Sequence, residues 1–95
     1  MKPLKLGVIG CGNISKQYFR GAKTFPSIEI TACADMNRAA ADAKALEYGI
    51  EAMETSQILN NPNIDMIINL TIPQAHAEIS IAALNAGKHV HCEKP

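Results

Sequence analysis

The chain has 95 residues, nine basic and nine acidic for a formal net charge of zero, and 47% of it is hydrophobic. That length allows one domain with a modest core. Balanced charge excludes the basic footprint of a nucleic-acid binder and a polybasic membrane patch, and no apolar run approaches the roughly 18 residues of a membrane span.

Apolar runs and helical patterns alternate along the chain. LKLGVIG (4–10) is short and β-rich with Lys5 its one charge, closes on glycine, and predicts a buried strand. In NISKQYFRGAKTF, Ile14, Tyr18 and Ala22 recur at helical spacing before Pro26 ends the segment. SIEITACAD (27–35) predicts a second strand, mostly apolar apart from Glu29 and ending on an aspartate. NRAAADAKALEYG predicts a helix with Asn37 as N-cap and a stop before Gly49. TSQILNNPN predicts a short helix broken by Pro62, and IDMIINLTI (64–72) a strongly buried strand. PQAHAEISIAALNAGK places Pro73 at or near a first helical turn and Gly87 at a C-cap, after which HVHC begins a last strand. This β-α-β-α-(α)-β-α-β succession predicts the α/β class, a parallel sheet with helices packed on its faces. Its continuously apolar strands are those expected when both faces are covered.

Between the first strand and first helix, GVIGCGNIS puts Gly10, Gly12 and Ser15 at the G-x-G-x-x-G/A positions. Gly10 permits a tight turn, Gly12 admits a pyrophosphate close to the backbone, and the N–H groups around Asn13 and Ile14 would face its oxygens. Serine at 15 departs from the third glycine but is still small. Asp35 follows Gly12 by 23 residues at the end of the next strand, where a carboxylate accepts hydrogen bonds from an adenosine ribose; an ordinary cap of the following helix is the plainer role. The carboxylate repels a 2′-phosphate and so favours NAD, with NADP left open. Arg38 is placed to stack on adenine or partly to compensate a phosphate, or else is a solvated helix residue.

Cys11, Cys33 and Cys92 are odd in number and form no C-x-x-C pair, which argues against a disulfide framework and a zinc site and for a reducing cytoplasm. Each reads as a small hydrophobe. The start MKPLKLGVIG lacks the features of a signal peptide. His89 and His91 share a strand face, but two ligands without a carboxylate or third histidine make no metal site.

LGVIGCGNIS, ACADMNRAAA and NLTIPQAHAEISIAALNAGKHVHCEKP together resemble the N-terminal domain of the Gfo/Idh/MocA oxidoreductases, the glucose–fructose oxidoreductase and inositol dehydrogenase group, over essentially all 95 residues. The most specific parts are AGKHVHCEKP and the T-x-P-x-x-x-H stretch, in which Thr71 and Pro73 fit and the histidine, His76, falls one place early. The resemblance implies a Rossmann-like parallel sheet with helices on both faces, truncated after the fifth strand. Residues 1–95 would be an incomplete NAD(P)-binding domain, with the C-terminal substrate domain outside this chain. It places Leu70, Thr71, Ile72 and Pro73 along the pyrophosphate and nicotinamide ribose, and Glu93 and Lys94 beside the nicotinamide. Lys94 would be catalytic, moving the substrate hydroxyl's proton while hydride leaves for the nicotinamide; a solvated terminal charge is its plainer role. Proline after Lys94 favours extended backbone there. His76 is placed to reach the cofactor loop from the first turn of its helix, or to support it as a polar surface residue.

The implied function is hydride transfer between NAD(P) and a sugar, polyol or related hydroxy compound. The full-length protein would be a cytoplasmic homo-oligomer without nucleic-acid, membrane or metal partners, and the 95 residues alone would be inactive. The alternative is a non-catalytic NAD(H) sensor, which has no need of Lys94.

Overall fold

The computed structural model describes residues 4–11, 15–22, 27–71 and 73–92. Five strands and four helices follow in the order β1 (Leu4–Ile9), α1 (Ser15–Ala22), β2 (Ile28–Ala34), α2 (Arg38–Tyr48), β3 (Glu51–Ala52), α3 (Thr55–Asn60), β4 (Met66–Asn69), α4 (Pro73–Asn85) and β5 (His89–Cys92). All pairings are parallel and the sheet order is β3-β2-β1-β4-β5. β1 therefore lies at the centre, and the chain runs outward from it first on one side and then on the other.

Side-chain alternation along the strands divides the core in two. Leu6 and Val8 of β1, Cys33 of β2 and Ile68 of β4 pack with Phe19 of α1 and with Ala41 and Ala45 of α2. Ile9, Ala32, Ala34 and Ile67 face the other way, onto Ile58 of α3 and Ala83 of α4. Helices thus cover both faces, as the uninterrupted apolar runs require. Among the described side chains of α1 the buried one is Phe19, stacked on Tyr48 with ring centroids 4.5 Å apart. Phe19 lies off the Ile14–Tyr18–Ala22 spacing that marked the helix in the sequence.

The helix ends follow their capping residues. The Asn37 side chain accepts from the Ala39 N–H at 3.1 Å, and Gly49 takes the left-handed conformation that ends α2. β3 is two residues long, Glu51 and Ala52, bonded only to β2. No apolar run announces it, because an edge strand this short needs little burial.

Lys88, between α4 and β5, is 8% exposed. Its ammonium donates to the carbonyls of Asn61 at 2.6 Å and Ile64 at 2.7 Å, tying the end of α3 and the approach to β4 to the start of β5. A buried charge is tolerated only with such partners. Replacement by methionine keeps the stem but takes the Lys88 donor from the buried Ile64 carbonyl, while the Asn61 carbonyl keeps only the Ile64 N–H. Lys88→Met is expected to cost about 1–3 kcal/mol of stability, read from a shift of the urea-unfolding midpoint.

Candidate functional site

The carboxyl ends of β1, β2 and β4 open into a cleft of about 450 Å³, whose lining includes Ile9, Gly10, Asp35, Leu70 and Thr71. This is where the sheet order reverses, the position at which open parallel sheets bind ligands. Met36, Ala75 and Ile79 make much of the remaining wall apolar, and Met36 is 87% exposed at the rim.

Gly10 turns out of β1 at φ 104°, a conformation that side chains disfavour, and a Cβ there would lie 2.6 Å from the Leu70 carbonyl oxygen. Its N–H donates to the Ala34 carbonyl at 2.8 Å, and the Leu70 N–H donates to the Ile9 carbonyl at 2.8 Å. Backbone bonds thus hold the three strand ends against one another with glycine at the contact.

Asp35 bridges the first turn and the second. Its carboxylate accepts from the Cys11 N–H at 2.7 Å and from the Asn37 N–H at 2.8 Å, one bond to each oxygen. Counting the described residues alone, each oxygen keeps a lone pair, with which the group can accept two further donors. The helix cap is Asn37, which leaves Asp35 for this bridge.

Arg38 turns elsewhere. Its guanidinium donates to Asp42 at 3.0 Å and Glu54 at 2.9 Å, on a side chain about half exposed, and it lines a separate groove with Glu51 and Gln57.

Asn69, the last residue of β4, is fully buried. Its amide nitrogen donates to the His76 carbonyl at 2.8 Å and to the Ser80 hydroxyl at 2.9 Å. Its oxygen accepts from the Thr71 N–H at 3.2 Å and the Thr71 hydroxyl at 2.6 Å. The crossover into α4 is therefore pinned from below. The Nε2 of His76 is buried with no hydrogen-bond partner among the described residues, and His76 does not line the cleft.

Cys11 and Cys33 are free and buried. Their thiols donate to the carbonyls of Ala34 and Ala41, each at 3.4 Å. The neighbouring Cys33 thiol, and then burial, push the Cys11 thiol well above the ordinary cysteine range. No cluster of metal-ligating side chains occurs among the described residues, and no helix among them is long and apolar enough to cross a membrane.

Of the residues singled out in the sequence, Gly10, Asp35, Leu70 and Thr71 meet in the cleft. Pro73 opens α4, and Arg38 lies in its own ion-paired groove. Gly12, Asn13, Ile14, Ile72, Glu93 and Lys94 lie outside the described residues. Sequence reasoning passed over Asn69 and Met36. A single polar residue inside the apolar IINL run was the available signal for Asn69. Nothing in the sequence marked Met36.

Residues 4–95 match the GFO_IDH_MocA family model, an oxidoreductase family with an NAD-binding Rossmann fold. The chain belongs to this family. Inositol 2-dehydrogenase of Salmonella typhimurium is 35% identical over 96 residues, an alignment covering 97% of this chain and 29% of that protein. The 3-ketoreductase KijD10 from Actinomadura kijaniata, solved with NADP and TDP-benzene, superposes with a TM-score of 0.90 at 33% identity over 98% of this chain and 29% of its own. The WlbA dehydrogenase from Bordetella pertussis, solved with NADH and UDP-GlcNAcA, also gives 0.90, at 28% identity and with 98% and 29% covered. The chain thus spans about three-tenths of the length of these Gfo/Idh/MocA proteins. The resemblance read from the glycine turn and the EKP ending is confirmed, and so is the Rossmann-like parallel sheet.

The contact at Gly10 gives a direct test. Gly10→Ala forces a methyl into the Leu70 carbonyl in a strained backbone conformation, and is expected to cost more than about 2 kcal/mol. A thermal midpoint unchanged by the substitution would show that the Leu70 backbone yields.

Proposed function

We propose that this chain is the dinucleotide-binding part of an NAD-dependent oxidoreductase that transfers hydride between nicotinamide and a hydroxyl-bearing carbon of a polyol or sugar-like substrate. The observation that carries the reading is the Asp35 carboxylate, held in the cleft by two backbone N–H groups with accepting capacity to spare. That is the chemistry needed to hold a ribose diol. The Cβ-free Gly10 and the apolar wall of Met36, Ala75 and Ile79 suit an adenosine beside it. The similarity to an inositol 2-dehydrogenase and to a 3-ketoreductase solved with NADP and TDP-benzene supports the substrate class.

NAD is favoured over NADP on charge. Asp35 would repel a 2′-phosphate, and Arg38, three residues further on, already donates to Asp42 and Glu54. No cation of this turn is left to neutralise the phosphate.

Bound nicotinamide supplies the hydride acceptor or donor. Asp35 would fix the adenosine end, the glycine turn through Gly12, Asn13 and Ile14 would receive the diphosphate, and Leu70 and Thr71 would border the far half. On the family resemblance, Lys94 would exchange the proton of the substrate hydroxyl and Glu93 would lie beside it. A lysine next to a cationic nicotinamide has its pKa depressed, which suits proton transfer near neutrality. The substrate pocket would come from a part of the full-length protein beyond these 95 residues, consistent with relatives more than three times as long. The same resemblance supports a cytoplasmic homo-oligomer.

Two substitutions in the full-length protein test this reading. Asp35→Ala should erode the preference for NAD over NADP by about tenfold or more, measured as the ratio of their dissociation constants. A ratio that does not move would remove the ribose contact. Lys94→Ala should abolish turnover and spare NAD binding, whereas undiminished turnover would remove the catalytic assignment of Lys94; a wild-type protein that binds NAD and turns over no hydroxy compound would make a nucleotide sensor the better reading.

A further inference from the structure

The geometry at the end of β4 points to a division of labour across the cleft: Asn69 takes up the donors of Thr71, so Thr71 meets the ligand only as a hydrogen-bond acceptor. Its partner is then a donor of the ligand's far half, beyond the diphosphate, and not a phosphate oxygen. This inference rests on the dinucleotide reading of the cleft.

The orientation of the Asn69 amide is fixed by its surroundings. A carbonyl, that of His76, lies against one end and an N–H, that of Thr71, against the other. Turning the amide over would set oxygen against oxygen and NH₂ against N–H, two mismatches in a fully buried site. The oxygen therefore faces Thr71. A hydroxyl has one proton, and that of Thr71 is directed to Asn69 at 2.6 Å. The Thr71 N–H goes to the same oxygen, and the Leu70 N–H goes to the Ile9 carbonyl. All three described donors at this corner are spent inside the protein. What remains for the cleft is the pair of lone pairs on the Thr71 oxygen. A diphosphate, which at neutral pH offers only acceptors, finds no partner here. A ribose hydroxyl or a carboxamide NH₂ does.

Asn69 touches no ligand in this arrangement. It is a positioning residue that sets the polarity of Thr71, and its bonds to His76 and Ser80 anchor that setting to α4.

The test uses the full-length protein and three ligands, ADP, ADP-ribose and NAD, with dissociation constants from calorimetry and a thermal melt of every variant. Thr71→Val should weaken ADP-ribose about three- to tenfold if the donor is the distal ribose, or NAD alone by that factor if it is the carboxamide, with ADP unchanged. Thr71→Ser should restore the wild-type constants. Asn69→Ser, too short to hold the Thr71 proton, should reduce the ADP-ribose-to-ADP or NAD-to-ADP affinity ratio as Thr71→Val does. Asn69→Asp keeps an oxygen toward Thr71 and should preserve that ratio even where it lowers the melting temperature. Equal weakening of all three ligands by Thr71→Val would mean a contact at the diphosphate or adenosine and would overturn the inference, as would no weakening of any. An unchanged ratio in a folded Asn69→Ser would remove Asn69 from the device. A wild-type protein that binds neither ADP-ribose nor NAD would instead sink the dinucleotide reading itself.

Discussion

The site depends on a close approach of backbone to backbone. At Gly10 the chain leaves the central strand between the ends of its two neighbours, with the Leu70 carbonyl where a side chain would begin. Hydrogen bonds from Gly10 to Ala34 and from Leu70 to Ile9 close the three ends on one another. The cleft exists because these ends are drawn together while the helices of the two faces diverge from them. Any residue with a Cβ at position 10 would push β1 and the β4 crossover apart and change the shape of the mouth.

Around that contact, polar groups are sorted by what they have left to offer. Asp35 spends one lone pair on each side and keeps two. The corner after β4 spends its described donors inward and keeps an acceptor. Two of the described corners thus present acceptors to the cleft. Arg38 fits the same pattern, since its partners Asp42 and Glu54 draw it off to a different groove. The distribution suits a ligand with hydroxyls near both ends and negative charge between them.

Much of the fold was legible because burial on both faces leaves a plain mark. The runs ending at Gly10, at Asp35 and before Thr71 read as buried strands, and each leads to a residue of the cleft. Asn37 and Gly49 ended their helix where capping chemistry said they would. The missed features carry no periodic signal. β3 is too short to need an apolar run, and Phe19 is buried by its stacking on Tyr48, a residue far along the chain. The bond from the Cys11 N–H to Asp35 and the placement of Lys88 under two carbonyls join segments at least 24 residues apart. Asn69 was visible as a letter, but its four hydrogen bonds appear only once α4 folds back over the strand.

The sheet order has a bearing on how the chain comes to be folded. β1 precedes the other described strands in the chain, and its two sheet neighbours, β2 and β4, follow it at very different distances. It pairs Leu4 with Ile28 on one side and Leu6 with Met66 on the other. Its second edge therefore stays open until some 60 further residues have been synthesised, and closing that loop precedes any gain from the contacts it brings. Throughout that interval one edge of β1 is uncovered, so its hazard of mispairing with another chain lasts until β4 has been made and has docked beside it.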